Sequence, residues 1–148
     1  MKAHVWIVAL FAWTFLFCSG QQAFPQQSVV DSLQAALKMA KDDTSRVNIL
    51  CDICYEIRKR NPDSAITVGH RALRLANEKA FKPGIARAHT ALGYPYINAK
   101  KYDSARVHLE KGLDVSQQLQ LGETQAMALR SLAFLSRNTT TARSYHKG

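Results

Sequence analysis

An all-α fold, built as an array of antiparallel helix pairs, is what this 148-residue chain predicts. Two repeated patterns and one missing pattern carry that prediction. A helical phrase recurs about forty residues on: Asp63-Ser64-Ala65 leads to Arg71-Ala72-Leu73, and Asp103-Ser104-Ala105 leads to Lys111-Gly112-Leu113. The stretches between the phrases repeat as well, residues 81–88 matching residues 121–128 in apolar placement. Alternating apolar runs bounded by turn signals, the mark of strands, do not occur. A period of this size marks stacked helical units rather than a compact enzyme.

Each helix has its own local argument. Residues 21–29 are Gln-rich with Pro25 and read as a flexible lead-in. Val30, Leu33, Ala36, Leu37 and Ala40 then fall at helical spacing and predict a short amphipathic helix. Asp42-Asp43-Thr44 breaks it and supplies a cap for the next. Val47, Leu50, Ile53, Cys54 and Ile57 form the stripe of that second helix. Asn61-Pro62 opens a third, with Asn as cap and Pro at the first helical position, where a missing N–H costs nothing. Its core face is Ala65, Ile66, Ala72, Leu73 and Leu75, and it runs to about Ala80. Lys82-Pro83-Gly84 is the next break, followed by a fourth helix on Ile85, Ala88, Ala91 and Leu92. Asp103 is expected to cap a fifth helix carrying Ala105, Leu109, Leu113 and Val115. A sixth begins near Glu123 and carries Ala126, Leu129, Leu132 and Ala133. A shortened loop at Thr139-Thr140-Thr141 is then expected before a new helix at Ala142-Arg143.

The first twenty residues read as a secretory signal rather than part of the fold. Lys2 gives a positive start, Val5 to Phe17 is almost wholly apolar, and Cys18-Ser19-Gly20 offers small residues for cleavage after Gly20. The apolar run is too short for a comfortable membrane span of about 20 residues. An uncleaved anchor and a lipid on Cys18 are the alternatives, the latter opposed by bulky Phe17. Removing residues 1–20 takes away Trp6, Trp13 and one cysteine, and lowers the formal charge from +9 to +8. The chain stays strongly basic, which inside a cell would raise nucleic acid as a partner. For an exported, extracytoplasmic protein, acidic proteins, anionic glycans or lipid surfaces are the expected partners instead. One domain of residues 30–148 remains, with repeats at about 45–84, 85–123 and an incomplete 124–148.

The middle repeat carries Leu92-Gly93, Tyr96, Tyr102, Ala105 and Leu113. This pattern resembles the tetratricopeptide repeat. The preceding repeat is looser, with Ile53-Cys54, Ile57, Ala65, Ala72 and Leu73 and an inter-helix turn one residue shorter; the third offers Leu132-Ala133. The resemblance implies a right-handed solenoid in which small residues let paired helices approach closely. The long period, the leader and the opening Asp-Ser-Leu helix resemble the exported sensor regions of Bacteroidetes-type histidine kinases or transcriptional regulators. No output domain is present, so a fragment of a longer signalling protein is the expectation. Pro95 departs from the pattern inside a helix, predicting a bend or a degraded repeat, and His89 stands where the family often places a large apolar residue.

Catalytic chemistry finds little support. Gly-rich phosphate loops and nucleophile elbows are lacking, and Asp42-Asp43 reads as a cap rather than a carboxylate pair. None of the five histidines has a metal-ligand partner at helical spacing. No enzyme, cofactor or metal site is therefore expected. Cys51 and Cys54 form a C-x-x-C well inside a helix, which favours packing over redox work. A redox-active module on these thiols and a cytoplasmic binder of nucleic acid or anionic surfaces remain the rival readings. The leading one is a non-catalytic scaffold for a protein or an extended acidic peptide. In the tetratricopeptide family the first helices of successive repeats line a concave groove. Aligning the repeats brings Tyr55, Tyr94 and Phe134 into one ladder on that surface. Arg58, Ile97 and Arg137 align one turn on, beside Lys59, Asn98 and Asn138, and Arg87 and Arg130 add charge from earlier turns. Membrane contact is expected only through an uncleaved leader or a downstream segment, and self-association through the unfinished last repeat.

Overall fold

The computed structural model describes residues 25–145, with side chains described from Val29 to Thr140. The expected leader with Cys18, residues 21–24 and His146 lie outside the described residues. Six α-helices make up the described chain, and no strand occurs among these residues. They are α1 (Pro25–Met39), α2 (Asp43–Ile57), α3 (Pro62–Glu78), α4 (Lys82–Asn98), α5 (Tyr102–Gln118) and α6 (Gly122–Tyr145).

Helix starts follow a local logic. Asp42 caps α2, its carboxylate accepting from Ser45 N at 2.7 Å and from the Thr44 hydroxyl at 2.6 Å. These two bonds hold Asp42 down to about 2. Asn61 caps α3 by accepting from Ser64 N at 3.0 Å, with Pro62 just inside. Asp103 is not a cap: Lys101 holds that position in α5, and Asp103 sits in the first turn, where its charge still favours the helix N-terminus. Pro25 starts α1 inside the stretch expected to be flexible, a position where its fixed φ suits a helix.

From α3 onward the helices begin twenty residues apart, at Pro62, Lys82, Tyr102 and Gly122. Three near-identical turns set this spacing. Ala80, Lys100 and Gln120 adopt φ of 50°, 58° and 55°. The following amides reach back to close each helix, Phe81 N to Ala76 O, Lys101 N to Tyr96 O and Leu121 N to Ser116 O, at 2.8–2.9 Å. The α2–α3 turn stands apart. Its C-cap Arg58 stays right-handed, and α3 starts nineteen residues after α2.

Each helix packs on its chain neighbour, and α4 also packs on both α2 and α6. By contrast, α1 does not pack on α3, nor α3 on α5, backbone to backbone. Two strata result, with α2, α4 and α6 in one and α1, α3 and α5 in the other. Small residues set the closest approaches. A Cβ on Gly93 would meet Leu109 at 2.2 Å, and one on Gly112 would meet Thr90 Oγ1 at 2.5 Å and Ala86 O at 3.1 Å. The core runs from Val47, Leu50, Cys51 and Cys54 through Ala72, Ala76 and Ala88. A second cluster joins Ile97, Ala105, Leu109 and Leu135.

Pro95 sits inside α4, which runs from Lys82 to Asn98. A further expectation changes: α6 is unbroken where a loop and a new helix were expected at residues 139–143. The threonines there lack the glycine or proline that would stop a helix, and their hydroxyls bond back within it: Thr139 to Ser136 O at 2.9 Å and Thr140 to Ser136 O at 2.7 Å.

Candidate peptide groove and a histidine cluster

The stratum of α2, α4 and α6 carries the aligned aromatics. Tyr55 follows buried Cys54 near the C-terminal end of α2, Tyr94 follows buried Gly93 in α4, and Phe134 follows Ala133 in α6, which is exposed rather than close-packed. Tyr55 and Tyr94 meet edge to face with ring centres 6.4 Å apart, and Tyr94 meets Phe134 at 5.3 Å. All three rings are half-buried. The three side chains therefore form one continuous series across three helices.

The arginines divide into different roles. Arg58 lays its guanidinium 3.4 Å from the centre of Tyr55 and 5.5 Å from that of Tyr94, and its Nη1 donates to the Tyr55 carbonyl. Its Nε is buried without a partner. Arg137 stands 5.9 Å from the Phe134 ring. Arg87 is not a free ligand cation: it pairs with Asp52 at 2.7 Å and donates to Asn48 at 3.2 Å. Burial pushes the Asp52 carboxyl up, against the pull of Arg87. Arg130 is exposed and holds no ion pair among the described residues. Beside the ring series, Asp52, Thr90, Glu123, Met127 and Arg130 border a cavity of 250 Å³. Its walls thus carry both signs of charge. Of the residues expected one turn on from the ladder, Ile97 is buried in the second core cluster. Asn98 instead ties α4 to the α2–α3 turn by donating to Arg58 O at 2.8 Å.

Cys51 and Cys54 are both free and buried. Burial pushes each thiol up to about 12. A thiol held protonated is a poor nucleophile. Cys54 has another use: its Sγ donates to Ala91 O at 3.4 Å. That carbonyl is the one Pro95, with no N–H, leaves without its helical partner.

Where α3 and α5 meet α4 lies a grouping that helical spacing within one element does not reveal. His70 of α3, His89 of α4 and His108 of α5 converge with Tyr96. His70 Nε2 stands 2.7 Å from the Tyr96 hydroxyl, and the Nδ1 atoms of His89 and His108 stand 2.9 Å apart. Tyr96 and His108 stack with centres 5.1 Å apart. The signal lay between helices: the three histidines are nineteen residues apart, about the helix repeat. No group of three or more His, Cys, Asp or Glu among the described residues is arranged to hold a metal ion. No described helix is long and apolar enough to cross a membrane. No family model, curated protein or solved structure matches this chain.

Proposed function

We propose that this chain is a non-catalytic helical-repeat scaffold of tetratricopeptide type that captures an extended peptide along the face of α2, α4 and α6. The carrying observation is the unbroken ring series Tyr55–Tyr94–Phe134, with Arg58 stacked at one end and Arg137 near the other. Aromatic and arginine side chains concentrate binding energy because they desolvate large surfaces while keeping a polar or charged edge. The packing of α4 on both α2 and α6, and the close approach at Gly93, support a right-handed solenoid of helix pairs.

The ligand carries apolar or aromatic side chains for the rings and at least one carboxylate for Arg130. It also carries a positively charged or hydrogen-bonding group near Glu123, because Arg87 is already committed to Asp52. The positive start at Lys2 and the apolar run Val5 to Phe17 support an exported module, the sensor side of a signalling protein. The test is titration of the protein with a fluorescein-labelled peptide of alternating Glu and Phe residues. Tyr94→Ala and Arg130→Ala should each weaken binding roughly tenfold or more with helical content unchanged. Unaltered affinity in both variants refutes the groove.

A further inference from the structure

The space between α3 and α5, over α4, is plugged by the rings of His70, Tyr96 and His108. The corresponding space between α1 and α3, over α2, is not. At the register of His108 stands Val68, forty residues earlier, and at that of His89 stands Leu50, thirty-nine earlier. Smaller aliphatic groups replace the rings, and a cavity of 820 Å³ remains. That volume lies in the range of small-molecule sites, which are apolar with a few convergent polar groups.

Its walls have two chemistries. Leu37, Leu50, Ile53, Val68 and Leu75 provide the apolar part, with Leu50 and Ile53 fully within the core. Lys38, Arg46, Arg71 and Arg74 provide four cations, against one carboxylate, Glu78. Arg46 is engaged with Asp43 at 3.4 Å and with the Ala40 carbonyl at 3.2 Å. Lys38, Arg71 and Arg74 hold no ion pair among the described residues. Arg71 and Arg74 lie three apart on α3, so they occupy one face and can converge on a single anionic group. Guanidinium forks match the two oxygens of a carboxylate.

We propose that this cavity is a binding site for a single-chain anionic amphiphile, a fatty carboxylate. Its alkyl chain lies over Leu50, Ile53, Val68 and Leu75, and its carboxylate meets Arg71 and Arg74. The site is on the stratum opposite the peptide groove and does not depend on that groove's occupancy.

The experiment is calorimetric titration of the full chain with decanoate, dodecanoate and tetradecanoate, each below its micelle concentration. Saturable one-to-one binding is expected, tightening roughly fourfold per added methylene. Dodecanol, with the same chain and no charge, should bind at least about tenfold more weakly than dodecanoate. Arg71→Gln with Arg74→Gln should erase that preference for the acid. Val68→Phe fills the apolar floor without touching a charge and should weaken all three carboxylates; helical content by circular dichroism checks that both variants fold. Absence of saturable binding, as when another segment of the chain already covers the cavity, overturns the proposal. So does equal affinity for dodecanol and dodecanoate, or dodecanoate binding unchanged in both variants.

Discussion

A proline inside a helix leaves the carbonyl four residues back without its amide donor, and in α4 that carbonyl belongs to Ala91. Ala91 is buried, so water does not fill the gap. The Cys54 thiol does, from α2, at 3.4 Å. An S–H donor is weak, yet an unmet buried carbonyl costs about 1–3 kcal/mol. The two residues are therefore energetically linked. Cys54→Ala should destabilise the protein, and Pro95→Ala, which restores the N–H, should relieve much of that loss. A urea-denaturation double-mutant cycle should give a coupling of about 1 kcal/mol between them; strictly additive effects would remove the bond from the account. The sequence marks Cys54 as a small packing residue and Pro95 as an interruption. It does not join them, because thirty-seven residues separate the thiol from the carbonyl and only the packed register of two helices brings them together. The ladder Tyr55–Tyr94–Phe134 is legible for the opposite reason: the repeat itself encodes the register. What the repeat leaves out is the identity of neighbours across it, so Asp52 neutralising Arg87 comes to light only in the fold.

Turns between helices are where local preference and observed structure disagree. Helix C-termini commonly end on glycine in the left-handed region, because any Cβ there crowds the following carbonyl. Here Ala80, Lys100 and Gln120 hold that conformation, and all three are exposed. The missing glycines explain why the helices are legible from apolar spacing and from Asn61-Pro62 and Asp42, while the turn geometry and the displacement of Asp103 from the cap are not. At the C-terminal end the same logic fails the other way: a run of threonines resembles a loop, but hydroxyl bonds to carbonyls within the helix satisfy them in place. The left-handed conformation of a residue with a Cβ costs about 1–2 kcal/mol, and glycine returns about 0.5–1 through the greater entropy of its unfolded chain. Ala80→Gly, Lys100→Gly and Gln120→Gly should each raise stability by about 0.5–1 kcal/mol, read as a higher urea midpoint at unchanged slope. A lowered midpoint at all three would mean that these side chains support the turns in some other way. Arg60→Gly is the contrast. The α2–α3 turn has no left-handed residue among its members, so glycine there should bring no gain.

An array in which helices meet mainly their neighbours depends on the contacts that span more than one pair. Three such contacts link helices that are not chain neighbours: α4 on α2, α4 on α6, and the ring cluster that ties α3 and α5 through α4. The cluster is the one that responds to protons. His89 and His108 are both held down to about 4, chiefly by burial, then by Lys111 and His70 for His89 and by each other, His70 and Lys111 for His108. Their Nδ1 atoms, 2.9 Å apart, form a hydrogen bond only while one ring donates and the other accepts. Two protonated rings would set donor against donor beside the ammonium of Lys111. The unfolded chain protonates the same imidazoles near 6.5. Between about 6.5 and 4 the unfolded state therefore binds more protons, and stability falls as the pH falls. The loss begins near pH 6.5 and levels off below about 4. It precedes the loss of the Asp42 cap, whose carboxylate protonates only near 2. His89→Leu places an apolar group at a half-buried position and removes half of the pair. Thermal melting at pH 7.5 and pH 4.5 should show a marked drop for the native chain and a much smaller drop for His89→Leu, with the two chains of similar stability at the higher pH. An equal drop in both would locate the acid sensitivity outside the cluster, and the rings of His70, Tyr96 and His108 would then be a plug between α3 and α5 with no role in proton response.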